Sequence, residues 1–196
     1  MPVFLGIDGG FALTGYALVS YGGSKADLRV REMGLLETTK SARKVPVSED
    51  NVRRARLLTK KLKDLIGEPH ASDGRGYFEG VFPSCICSEA MSYPRSSSTA
   101  CKLGISWGIV SALAETRGFP IVQVSPQDLK YICTGSRTAS KGELRARLSL
   151  DYPSSMEAFE KAEIGASKAE HCWDALGAII ACLDTEIVRA LVKHSG

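Results

Sequence analysis

The sequence predicts an α/β protein built on a mixed five-stranded sheet with helices on both faces. Two observations carry that expectation. Three short apolar runs at the start are separated only by turns, which predicts an antiparallel meander. After them, apolar runs of strand length alternate with segments of helical period, which adds parallel strands and helices packed across the sheet. At 196 residues and 44% hydrophobic, the chain is long enough for one well-buried core. A single domain over 1–196 is expected, with 67–84 as a candidate insertion.

The elements follow in order. Residues 3–7 form a central strand, 15–20 a second after a Gly-rich turn, and 28–38 a third. Residues 41–50 are polar and contain a proline, so they form a loop. Val52, Ala55, Leu58, Leu62, Leu65 and Ile66 recur at helical spacing, with Asp50 or Asn51 as cap and Gly67 as stop. Residues 68–80 are rich in Gly, His, Asp and Ser and belong to a loop. Strand 81–88 then runs into Glu89. A long helix spans 96–117 and stops at Gly118; strand 120–124 follows. Ser125-Pro126 opens a helix with Ser at the cap and Pro at its first position. A turn over 134–138 leads to a helix over 141–150. Residues 152–169 are polar and carry no clear period, and a last helix covers 171–192. Trp107 and Trp173 are expected in the core.

Composition narrows the function classes. No apolar run approaches the roughly 20 residues of a membrane span. No basic leader precedes Val3, so a soluble cytoplasmic protein is expected. Six cysteines in such a chain are expected as reduced, buried thiols, with a structural metal site as the rival. Cys85 and Cys87, two apart on a strand, would share one face. The net charge is +3, but residues 40–63 hold nine basic residues against two acids. That density suggests a polyanion contact, or simply a solvated helix face.

Chemistry is suggested by acids in awkward places. Asp8 ends the first apolar strand and Glu89 ends the fourth. His171 and Asp174, at i and i+3, share a helix face. Ionised carboxylates beside a core are costly unless paired or metal-bound, and three together raise one another's pKa. A divalent cation resolves both problems, and oxygen ligation with one imidazole suits Mg²⁺ or Mn²⁺. Two such ions about 4 Å apart can activate water and stabilise a leaving oxygen in phosphodiester cleavage. Singly, each residue has a plain alternative as turn former, surface pair or cap.

Four motifs in order carry a family resemblance. "LGIDGGFALTGYALV", "CSEAM", "STACKLGISWGIVSALAETRGFPIVQVSPQDLKYICTGSRTASKGEL" and "HCWDALGAIIACL" together resemble the RuvC family of Holliday-junction resolvases. The resemblance spans most of the chain and implies the RNase H-like fold. It implies Asp8, Glu89, His171 and Asp174 as catalytic metal ligands holding two Mg²⁺ ions, with Mn²⁺ as substitute. Asp8 would bridge the ions, and His171 would ligate or orient the attacking water. Lys141 would neutralise phosphate charge in the transition state, while Lys130 and Arg95 would position the DNA backbone. A homodimer would make paired nicks in a four-way junction. The long helix, with Gly104 and Gly108, would contribute to its interface; those glycines could instead pack on the sheet. A branch-migration motor partner and association with the nucleoid are implied by resemblance alone, with a bacterial or phage source left open.

The chain departs from the family pattern in places. Gly9 stands where Pro is common. Ser92 replaces an aromatic residue that stacks on junction bases, leaving Tyr93 as stacking candidate or strand-end tyrosine. Three rival readings follow from the sequence. "GIDGGFALTG" also resembles the phosphate loop of sugar-kinase or actin-like ATPases, but no second phosphate loop is present. A decayed, non-catalytic scaffold conflicts with four filled ligand positions. A nuclease of the same fold acting on other branched DNA or RNA remains open.

Overall fold

The computed structural model describes residues 1–67, 82–91 and 94–195. Five strands form one sheet: β1 (Val3–Asp8), β2 (Leu13–Ser20), β3 (Arg29–Glu37), β4 (Cys85–Glu89) and β5 (Ile121–Val124). Their spatial order is β3-β2-β1-β4-β5. The first three are antiparallel neighbours, as the meander predicts, while β4 and β5 run parallel to β1. Asp8 thus ends the central strand.

Alternation along the strands builds a core on each face. Val3, Leu5, Ile7 and Ile86 face α1 (Val47–Ile66) and α2 (Ser97–Arg117). Phe4, Ala17, Cys85, Cys87 and Val122 face the helices of the chain's second half. These are α3 (Pro126–Thr134), α4 (Lys141–Asp151), α5 (Ser154–Lys161), α6 (Ala169–Cys182) and α7 (Glu186–His194). Cys85 and Cys87 share a face as expected. They lie with Cys133, Cys172 and Cys182 as buried free thiols, and Cys101 is exposed. No helix among the described residues is long and apolar enough to cross a membrane.

Local chemistry sets the helix ends. Ser125 accepts a hydrogen bond from the Asp128 N–H at 3.1 Å, with Pro126 in the first turn of α3. Ser140 and Glu143 form a reciprocal capping box at the start of α4. Gly118 and Gly135 end α2 and α3 in the left-handed conformation.

Five expectations are corrected. Helix α1 begins at Val47, not after Asp50. Asp50 lies in its first turn, where its carboxylate accepts from the Ser41 N–H and Arg53 instead of capping. The polar stretch 152–169 contains α5, because Ala158 and Phe159 bury one face of that short helix. The last helix is two: Thr185 turns its hydroxyl and N–H back onto the Cys182 carbonyl, closing α6 before α7 starts. Strand β4 starts at Cys85. Trp173 is buried, but Trp107 is only half-buried against the α1–α2 core. Most of the candidate insertion, residues 68–81, lies outside the described residues, as do Ser92 and Tyr93.

Candidate active site

Strands β1 and β4 are parallel neighbours with Ile7 opposite Ser88. The next residue on each is an acid, so Asp8 and Glu89 leave the sheet side by side. Helix α6 crosses over β1 and β2 from the opposite layer, and its close approach depends on two glycines. A Cβ on Gly6 would run into the carbonyl of Ala175, and one on Gly15 into the carbonyl of His171. Bare backbone at these two points lets the first turns of α6 reach the sheet, which brings His171 and Asp174 to the two strand ends.

The contacts there are short. The His171 Nδ1 lies 2.6 Å from the Asp8 Oδ2, and both side chains are about a quarter exposed. The capping box places Lys141 at the first position of α4. Its ammonium donates to the Asp174 Oδ2 at 2.7 Å and lies 3.2 Å from the Glu170 Oε2. Trp173 turns away from this cluster, as its position between His171 and Asp174 requires. It packs on Phe159, with ring centroids 5.6 Å apart.

The electrostatics are those of crowded acids. Burial, reinforced by Asp174 and Asp8, pushes the Glu89 carboxyl up to about 7, against the partial relief of Lys141 and Lys130. Burial raises the Asp174 pKa and outweighs the pull of Lys141. The hydrogen bond to Asp8 raises the His171 pKa despite partial burial. Burial opposes the charge on Lys141, but Asp174 and Glu170 hold its pKa above the ordinary lysine value.

Of the residues singled out in the sequence, Asp8, Glu89, His171, Asp174 and Lys141 come together. Lys130, on α3, is near enough for its charge to lower the Glu89 pKa. Arg95 stands exposed on the bend before α2 and, among the described residues, makes no ion pair. Glu170 was not anticipated. Its position four residues before Asp174 puts both on one helix face, and that spacing was the available signal. Gly9 has ordinary space around it, with Trp107 behind, so the loss of the common Pro leaves the turn intact. That turn is closed by the Gly10 N–H donating to the Asp8 carbonyl at 2.9 Å and by the Thr14 hydroxyl on the Gly10 carbonyl at 2.6 Å.

Three carboxylates and an imidazole suit a hard divalent cation in donor type and charge. Among the described residues no three His, Cys, Asp or Glu side chains are already drawn into a ligand set. Asp8 and Asp174 are turned instead to His171 and Lys141. The donor set therefore fits such an ion in chemistry, with two ion pairs to exchange on binding.

Comparison with known proteins identifies the family. No family model matches the chain. The crossover junction endodeoxyribonuclease RuvC of Thermomicrobium roseum is 30% identical over 151 residues, which cover 76% of this chain and 79% of that protein. The chain belongs to the RuvC family. RuvC of Pseudothermotoga lettingae is 26% identical over 148 residues, covering 76% of this chain and 78% of that one. Thermus thermophilus RuvC, solved in complex with a Holliday-junction substrate, shares the fold with a TM-score of 0.66 at 20% identity and 92% coverage of both chains. The yeast mitochondrial Holliday junction resolvase shares it with a TM-score of 0.60 at 15% identity, covering 97% of this chain and 80% of that one. The mixed sheet described above is thus the RuvC-type, RNase H-like sheet.

Proposed function

We propose that this protein is a metal-dependent endonuclease that resolves four-way DNA junctions by paired symmetric nicks. The carrying observation is the convergence of Asp8, Glu89, His171 and Asp174 at one end of the sheet in a chain of the RuvC family. These four side chains would hold two Mg²⁺ ions, with Mn²⁺ as substitute. Bound there, the ions supply Lewis-acid activation of a water and stabilisation of the leaving oxygen.

The chain's own residues supply the rest. His171, hydrogen-bonded to Asp8, orients the attacking water. Lys141, now spent on Asp174 and Glu170, is the cation positioned to face charge developing on the phosphate. Lys130 and Arg95 hold the DNA backbone in register without reading sequence. Tyr93, close after the Glu89 strand end, is assigned to stacking on an unpaired base. Water adds to phosphorus as the bond to O3′ breaks, leaving 3′-hydroxyl and 5′-phosphate ends.

Symmetric nicking needs two such sites, and a homodimer through α2 provides them. Gly104 and Gly108 are exposed, and a Cβ on either would meet nothing within 4 Å. They therefore do not pack on the sheet, and their surface is open to a second helix. A single domain over 1–196 and a branch-migration motor partner complete this reading; family membership supports the latter.

The test is a panel of four-way junction, flap, fork and linear duplex, incubated with Mg²⁺ or Mn²⁺. Junction cleavage is expected, and Asp8→Asn or Glu89→Gln should abolish it while junction binding persists. Cleavage of flaps or forks alone would move the assignment to another branched substrate. An inert panel with both metals would overturn the nuclease reading.

A further inference from the structure

The nine basic residues over 40–63 are not spread evenly in space. The β3–α1 loop and the first turns of α1 and α2 enclose an open groove of about 310 Å³. Lys40, Arg43 and Lys44 line it from the loop, and Lys102 closes it from α2. Arg54 and Asp50 also border it, but both are engaged. The Arg54 guanidinium is buried on the Thr38 carbonyl and hydroxyl, each at 3.1 Å, and on the Phe11 ring at 4.6 Å. Asp50 is neutralised by Arg53 at 2.7 Å and accepts from the Ser41 N–H at 3.1 Å. Among the described residues, Lys40, Arg43, Lys44 and Lys102 form no ion pair.

The loop is held, not loose. Arg53 donates to the Thr39 carbonyl, and the Arg43 N–H donates to the Ser41 hydroxyl at 3.2 Å. Its first residue is stitched to the turn after Asp8: the Thr38 N–H donates to the Ala12 carbonyl at 2.9 Å and its hydroxyl to the Phe11 carbonyl at 2.6 Å. Strand register agrees. Leu35 pairs with Gly15, which pairs with Asp8. Strand β3 therefore leaves the sheet at the same end as the acids, and α2 starts at that end after Glu89. The groove flanks the candidate active site on the α1–α2 face, opposite Lys130 and Lys141.

We infer that this groove is a second DNA-backbone site, binding phosphates of a duplex arm that extends from the cleavage point. Its occupant is a phosphodiester chain, because four cations without ion pairs on a held loop and a helix suit the repeated charges of a phosphate backbone. The inference rests on the proposed action on branched DNA and names where an arm of that substrate lies.

The test uses the full chain in EDTA, with a four-way junction and a linear duplex, across about 50–200 mM salt. Removing Arg43, Lys44 and Lys102 together as alanines should lower the slope of log affinity against log salt by about 2.7, at about 0.9 per lost contact. A fourfold rise in salt then costs the variant about 40-fold less affinity than it costs the native protein. The control is Arg56→Ala with Lys60→Ala and Lys61→Ala, which removes equal charge from α1 outside the groove and should change the slope by less than about 1. An unchanged slope in the groove variant, or an equal change in the control, overturns the inference. Arg43, Lys44, Arg56 and Lys60 are exposed and Lys61 and Lys102 half-buried, and an unchanged thermal melt confirms folding of both variants. Because the duplex slope requires no cleavage, failure of the groove and failure of the nuclease assignment give different results.

Discussion

Glu89 is the residue under most electrostatic pressure in the site. Its carboxyl is held near 7 where an ordinary glutamic acid sits near 4.5. The folded protein therefore binds more protons than the unfolded chain between those values, so its stability falls as pH rises from about 4.5 to 7 and stays low above. His171 acts in the same direction. Its raised pKa contributes stability that is complete below the unfolded value and is lost as pH rises through the folded one. Replacing Glu89 with Gln should accordingly stabilise the protein in EDTA at pH 8 by about 1–2 kcal/mol, a rise of roughly 2–4 °C per kcal/mol, after allowing for solvent screening. At pH 5 the gain should be much smaller. A gain of equal size at both pH values would mean that the glutamate is not strained. Mg²⁺ at pH 8 should raise the melting temperature of the native protein and leave that of the Gln variant nearly unmoved. Asp8, Glu89, His171 and Asp174 were legible because each breaks a local pattern, an acid ending an apolar strand or a polar pair on an apolar helix. Glu170 had only its spacing from Asp174 as a signal, and the partnership of Lys141 had none, because residues 141 and 170 meet only through tertiary packing.

At the scale of elements, the site depends on how closely α6 lies on the first two strands. Gly15→Ala places a methyl group against the His171 backbone, which cannot swing aside as a side chain would. A cost of about 2–3 kcal/mol is expected in urea unfolding, together with loss of junction cleavage. The same substitution at Gly108 meets open space on a helix, so a gain of up to about 1 kcal/mol in the folding of the monomer is expected. If both glycines respond alike, α6 is not seated through Gly15. The sequence marked the extent of α2 well, since Ser96 and Gly118 punctuate it. It did not mark the break between α6 and α7. Apolar residues continue at helical spacing through Ile180, Leu183, Ile187 and Leu191, and the stop is made by Thr185 folding back on Cys182. Helix α5 was missed for the opposite reason, because its buried face is only a few residues wide.

For the whole molecule, the proposed paired nicks require two sites set at a fixed distance. The outer face of α2 carries Ser97, Cys101, Gly104 and Gly108, all exposed and all small. An arginine at Gly108 would leave the fold untouched and obstruct close helix approach. Sedimentation should show a dimer for the native chain and a monomer for Gly108→Arg, with the variant reduced to uncoordinated single nicks. A native chain that stays monomeric with and without junction DNA would remove the paired-nick mechanism. The architecture itself was readable from the order of apolar runs, because three strands in succession leave few other arrangements. The basic groove was not: density over 40–63 was visible, but Lys102 joins it from an element 39 residues beyond the end of that stretch. One more property follows from the distribution of thiols. Five of the six cysteines are sealed in the interior, and Cys101 alone faces outward. The natural chain thus has a single accessible attachment point for a maleimide spin label or fluorophore, on the surface assigned to self-association. In the proposed dimer, a label there would work as a molecular ruler between protomers, with no native residue replaced.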